Sequence, residues 1–176
     1  NTVKKASVLS NKVMKKFLFP LVDGFIQDAM EEEKKKGIVV TGKYISDKID
    51  DVIADPVQLS DKINPQNVDS CFTPIVQSAG SYDLRLSAQP SSAPLSKDVI
   101  VTSVGVRYKS YCSYIARSFV VGKEKDVEET YFAALSVLEN LISALGKVKK
   151  TSEDGSSATN MTFGEITAQV RQELEK

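Results

Sequence analysis

From Val99 to Val121 the chain reads VIVTSVGVRYKSYCSYIARSFVV, in which β-branched and aromatic residues alternate with small or polar ones up to Tyr108–Lys109 and again beyond it. Period-two patterning of this length folds as two antiparallel strands. A tip at Tyr108–Lys109 sets Ser103 opposite Tyr114. Directly opposed residues hold their Cβ atoms roughly 5 Å apart on one face, close enough for two carboxylates there to share a pair of cations. A hydroxyl and a phenol stand at these positions instead. The stretch contains no Asp or Glu, and the whole chain no histidine.

Composition narrows the chemistry further. With 176 residues, 41% of them hydrophobic, the chain has material for one modest core. Lys plus Arg and Asp plus Glu both total 23, so the formal charge is zero. That balance argues against a broad basic field for free nucleic acid, though not against local patches. No apolar run approaches the roughly 20 residues that span a bilayer, and no signal-peptide pattern follows Asn1. Without histidine there is no Ser–His or Cys–His pair and no imidazole metal ligand. The two cysteines, Cys71 and Cys112, sit in apolar strand contexts and read as buried, reduced core thiols of an intracellular protein.

Helices surround the strand region. Val3, Ala6, Leu9, Val13 and Phe17 recur at helical spacing, with Lys4, Lys5, Lys12, Lys15 and Lys16 on the other faces. Pro20 kinks or restarts that helix. Glu31 to Lys36 pairs acid with base at i,i+4 as a solvated helix end, and Gly37 is its expected C-cap. A short helix is expected over Lys43–Ile53, ended by Asp55-Pro56. Residues 56–70 read as a connection. Period-two segments over Phe72–Ser78 and Tyr82–Ala88 read as strands before the hairpin. A long helix follows Gly122 on the stripe Val127, Tyr131, Ala134, Leu138, Leu141, Leu145. Residues 150–160 read as a solvated loop. Thr162 with Glu165 forms a capping box for a last helix bearing Ile166, Val170 and Leu174.

The motif V-G-V-R-Y-K-S-Y-C-S-Y-I-A-R-S-F-V-V-G, Val104 to Gly122, resembles the central hairpin of pita-bread metallopeptidases such as methionine and Xaa-Pro aminopeptidases. In that resemblance Gly105, Tyr111, Arg117 and Phe119 match the family pattern, and Ser103 and Tyr114 fall on its two metal-binding aspartates. Phe72 to Gly80 is similar to the family's P-x-V-x-S-G strand, but no histidine follows it. Within the fold, G-x-R-x-K-S-Y-C-S-x-x-x-R (Gly105, Arg107, Lys109 to Ser113, Arg117) and P-x-x-Q-S-x-G-x-Y-x-L (Pro74 to Leu84) resemble the large subunits of FACT-type histone chaperones.

The resemblance implies an α+β, partial pita-bread (creatinase/aminopeptidase-like) fold: an antiparallel sheet covered by helices and preceded by N-terminal helices. Residues 1–70 would be a helical segment linking from a preceding lobe, and 71–176 the first half of a catalytically inactive lobe. It further implies no enzyme activity, cofactor or metal, the ligand positions Ser103 and Tyr114 being lost. The expected role is a non-catalytic histone- and nucleosome-binding module in the nucleus. Its partners would be core histones and an HMG-box subunit, with DNA met only through nucleosomes and no membrane contact. Physics agrees on the metal, since a hydroxyl and a phenol of pKa near ~10 are poor substitutes for anionic ligands to two dications.

Arg107, Tyr108, Lys109, Tyr111, Tyr114 and Arg117 are the candidate peptide- or histone-binding cleft. Their alternative reading is a buried structural arginine at 117 among half-buried strand tyrosines. Acidic stretches, Asp47 to Asp55 and Glu124 to Glu129, suit basic partners or serve as ordinary solvated helix faces. Two other functions compete: an active metal-dependent aminopeptidase of the pita-bread family, and a purely structural scaffold.

Overall fold

The computed structural model describes residues 1–59, 63–122, 125–147 and 163–174. The chain divides into two compact units, Asn1–Gly122 and Lys123–Lys176. The expected loop at 150–160 and Thr162 of the capping box lie outside the described residues.

The first unit opens with α1 (Thr2–Val13), a π-helical turn (Met14–Leu18) and α2 (Phe19–Ile26). The sequence stripe predicts Phe17 on the buried face. Ala6, Leu9 and Val13 of that stripe are buried, but further along the structure buries Met14, Leu18 and Val22 and only half-buries Phe17, while Val3 at the start is exposed. From Met14 onward the cause is the wider turn, which shifts the buried face relative to an unbroken α-helix. Pro20 falls early in α2, where its missing N–H is tolerated, and the widened turn relieves its ring from the carbonyl four residues back. A short α3 (Glu31–Lys35) ends at Gly37, whose φ of +66° is the left-handed conformation such a cap uses.

Helix α4 (Gly42–Ala54) begins at Thr41, whose hydroxyl accepts a hydrogen bond from the Tyr44 N–H at 3.0 Å. It buries Ile45, Ile49 and Ile53. Its start lies so close to the sheet that a Cβ on Gly42 would stand 2.3 Å from the Val76 carbonyl oxygen, and the Ser46 hydroxyl donates to the Pro74 carbonyl at 2.6 Å.

The sheet is antiparallel and built on the long strand β3 (Val99–Tyr108). Two three-residue strands, β1 (Val68–Ser70) and β2 (Ile75–Gln77), lie along one edge of β3, and β4 (Tyr111–Val120) fills the other. β1 was expected to be part of a connection; three residues are too few to display a period. Tyr82–Ala88 forms no strand despite its alternation. Both edges of β3 are already occupied, so this segment instead lies over the β2 end, where Tyr82 Oη donates to the Val99 carbonyl at 2.7 Å and Gln77 exchanges hydrogen bonds with the Asp83 backbone.

The hairpin register differs from the sequence expectation. The tip is Lys109–Ser110, Tyr108 pairs with Tyr111, Gly105 opposes Tyr114, and Ser103 opposes Ala116. Lys109 takes φ +57°, the left-handed conformation that a two-residue hairpin loop demands. Its N–H donates to the Asn67 carbonyl at 2.7 Å. The turn moves one residue along, and each cross-strand partner moves by two.

One face of β3, carrying Ile100, Thr102, Val104, Val106 and Tyr108, packs into the core with α1, the π turn, α2 and α4. The outer face carries Ser103, Gly105 and Arg107 of β3 with Cys112, Tyr114 and Ala116 of β4. The second unit contains α5 (Lys125–Lys147) and α6 (Phe163–Leu174), which contact one another. No helix among the described residues is long and apolar enough to cross a membrane.

Candidate functional site

The outer face of the hairpin is organised around Gly105. The Phe72 ring crosses this position: a Cβ there would stand 2.5 Å from Phe72 Cε1 and 3.0 Å from Cys71 Cβ. Tyr114, directly opposite Gly105, meets Phe72 edge to face with ring centroids 6.4 Å apart. Phe72 was expected only as a strand residue. Its role over Gly105 follows from the β1 turn and leaves no periodic signal in the sequence. Ser70 Oγ holds that turn by donating to the Phe72 carbonyl at 2.8 Å.

Ser103 and Tyr114 share the outer face but do not oppose one another. Ser103 is buried between Ile75 and Ala116, whereas Tyr114 is 64% exposed. The distance between them is that of a diagonal pair, roughly 7–8 Å between backbones, with an aromatic ring crossing the glycine beside both. Among the described residues no group of three or more His, Cys, Asp or Glu side chains converges to hold a metal ion. A buried hydroxyl, an exposed phenol and a phenyl ring do not fit a pair of divalent cations, which need anionic oxygen ligands.

The six residues expected to form one cleft are divided between two faces. Arg107 and Tyr114 lie on the outer face, Arg107 in an ion pair with Asp69. Tyr108, Tyr111 and Arg117 belong to the core-side face, and Lys109 forms the tip. Tyr108 is buried, with Lys5 Nζ 5.4 Å from its ring centroid; Tyr111 is exposed.

Arg117 is exposed rather than buried, contrary to its reading as a buried structural arginine. β4 is an edge strand, so a long side chain on its core-side face escapes past the helices. Its Nη1 donates to the Ala116 carbonyl at 2.7 Å, and it lines a hollow of about 450 Å³ with Met14, Lys15, Phe19, Ile115, Ser118 and Phe119. The cysteines also depart from expectation: Cys71 is half-buried and Cys112 exposed, because the outer face at this end of β4 is uncovered.

The metallopeptidase family M24 model matches residues 1–176, and the chain belongs to that family. Within it, the chain is homologous to the N-terminal domain of FACT complex subunit SPT16. It is 36% identical over 152 residues to the Arabidopsis thaliana SPT16, covering 85% of this chain and 13% of that protein. The N-terminal domain of SPT16 from Cicer arietinum (chickpea) superposes with a TM-score of 0.68 at 32% identity, over 84% of this chain and 33% of that one. A prolidase from Thermococcus sibiricus, 20% identical, has the same fold with a TM-score of 0.61 over 98% of this chain and 39% of the prolidase. The chain therefore has the pita-bread fold and spans a small part of the curated relatives it matches.

Proposed function

We propose that this chain is part of the N-terminal domain of a FACT-type large subunit, and that it binds core histones without catalysis. One observation carries the reading: the chain is similar to proteins named as FACT subunits, and the hairpin positions that the resemblance assigns to metal ligands hold Ser103 and Tyr114, with Phe72 across Gly105. In this reading the protein works in the nucleus with an HMG-box partner and meets DNA through nucleosomes.

Two surfaces suit basic histone segments. One is the outer face, where Tyr114 and Phe72 offer aromatic contact and the Asp69 carboxylate accompanies Arg107. The other is the solvent side of α4, where Asp47, Asp50 and Asp51 are exposed, with Asp47 paired to Lys43. Titration of core histones against the chain tests the proposal: binding is expected to saturate and to weaken as salt rises. Tyr114→Ala and the pair Asp50→Lys with Asp51→Lys then assign the surface. An absence of histone binding supports the scaffold reading instead. Manganese- or cobalt-dependent release of N-terminal residues from peptides supports the aminopeptidase.

A further inference from the structure

Charge is segregated along this neutral chain. The charged side chains of residues 1–22 are all lysines, namely Lys4, Lys5, Lys12, Lys15 and Lys16, so the rest of the sequence carries a matching negative excess. At roughly 100° per residue the five fall within an arc of about 120° on one side of the helix, while Ala6, Leu9 and Val13 face the core. Lys4, Lys5, Lys15 and Lys16 are exposed. Elsewhere lysines pair with carboxylates, as Lys34 does with Glu31, Lys43 with Asp47, Lys48 with Glu33 and Lys97 with Asp28. The lysines of this face behave differently. Lys12 Nζ donates to the Leu59 carbonyl at 3.0 Å, and Lys5 Nζ lies 5.4 Å from the centroid of the Tyr108 ring. Among the described residues none of the five forms an ion pair.

We propose that this lysine face is a contact for the phosphate backbone of double-stranded DNA, made directly rather than through bound histones. From Lys4 to Lys16 the helix rises roughly 18 Å, a length over which a duplex presents on the order of ten phosphate charges. Lysine ammonium groups meet phosphates as point charges and carry no sequence information. Two neighbours extend the band: Lys5 lies at the hairpin end that carries Lys109, and Lys15 lines the same hollow as Arg117. On the other side the band stops at α4, where Asp51 lines a hollow with Lys16 and Lys48. Residues 1–16 include no aromatic ring on which an unstacked base could lie, so the face suits a duplex rather than a single strand. Between Lys4 and Lys16 the exposed large apolar side chain among the described residues is Val8, too little to anchor an acidic peptide. The contact rests on the placement of charge in this chain and is independent of the histone reading.

The test is fluorescence polarisation of a labelled, histone-free duplex of mixed sequence titrated with this chain at several salt concentrations. Five phosphate contacts predict a loss of affinity of roughly 500-fold between about 50 and 200 mM salt, a logarithmic slope of about −4.5. The triple variant Lys4→Gln, Lys15→Gln, Lys16→Gln should flatten that slope by about 2.7. These side chains are exposed, so the variant is expected to melt with the parent. A second triple variant, Lys35→Gln, Lys36→Gln, Lys43→Gln, removes the same charge from other exposed positions and should leave the slope unchanged. No duplex binding at the lowest salt would overturn the proposal, as would an equal loss in both variants. So would tighter binding of a single strand of the same length, or displacement of the duplex by a polyglutamate peptide of equal charge. Because the probe contains no histone, the outcome is separate from the histone titration, and either result can fail alone.

Discussion

At the scale of single residues, Gly105 is the position on which the outer face depends. A methyl group there meets Phe72 Cε1 at 2.5 Å and Cys71 Cβ at 3.0 Å, so Phe72 must swing away and the β1 turn must yield. Gly105→Ala is expected to cost about 1–3 kcal/mol, the range for overpacking a tight site. Thermal melts check the cost, and loss of the Phe72–Tyr114 ring contact by NMR checks the cause. Lys109 poses the opposite case. It holds φ +57° with a Cβ, a conformation that strains L-residues and that glycine accepts freely. Lys109→Gly is expected to stabilise the chain by about 0.5–1 kcal/mol in urea unfolding; a decrease would mean that the lysine side chain contributes more than its backbone costs. The exposed lysine at this turn also explains the register error. Nothing in Tyr-Lys-Ser-Tyr resembles the Asn-Gly signature that marks a hairpin tip, so alternation alone left the turn free to slide.

At the scale of elements, the long periodic pieces were legible and the short ones were not. α4, α5 and the hairpin strands announce themselves because many residues repeat one spacing. β1 and β2, three residues each, exist only because β3 offers them an edge, which is a tertiary fact. Tyr82–Ala88 has the alternation of a strand, but both edges of the central β3 are taken and the segment is held by side-chain hydrogen bonds instead. The exposure of Arg117 and Cys112 was hidden for a related reason: sequence shows which residues alternate, not which face a neighbouring element covers. Contacts between elements yield a pH prediction. Glu33 of α3 accepts hydrogen bonds from Lys48 Nζ at 2.8 Å and Tyr44 Oη at 2.9 Å, both from α4. These hold its carboxyl at about 2, the Lys48 bond being the largest cause. The folded value lies below the ordinary one of 4.5, so this stabilisation is complete above pH 4.5 and is lost as pH falls towards 2. Because Lys48 is 39% exposed, solvent screening limits the effect to about 1 kcal/mol. Glu33→Gln is expected to flatten the decline in melting temperature between those pH values; an unchanged acid limb would show that the α3–α4 contact is not held in solution.

At the scale of the whole molecule, the buried core cluster runs from Ala6 to Tyr108, with Ile115, Phe119 and Val121 packed against it. Every member lies in the first compact unit, and that unit also contains the complete β1–β4 sheet. Hydrophobic burial is the main term favouring folding, and the described core cluster supplies it within residues 1–122. A protein of those residues is therefore expected to unfold cooperatively, with Tyr108 and the Val104–Val106 amides among the slowest to exchange hydrogen. A broad, non-cooperative melt or uniform fast exchange would mean that the first unit depends on the second for its order. The same shortened protein isolates the hairpin chemistry. Restoring carboxylates with Ser103→Asp and Tyr114→Asp places them at diagonal positions beside Phe72, not at a facing pair, and supplies only two anionic side chains. Calorimetric titration with manganese is expected to give no stoichiometric uptake, because two dications at that spacing need more oxygen ligands than these two side chains provide. Two ions bound per chain would require the ring to leave and would show the hairpin to be closer to a working metal centre than its geometry implies.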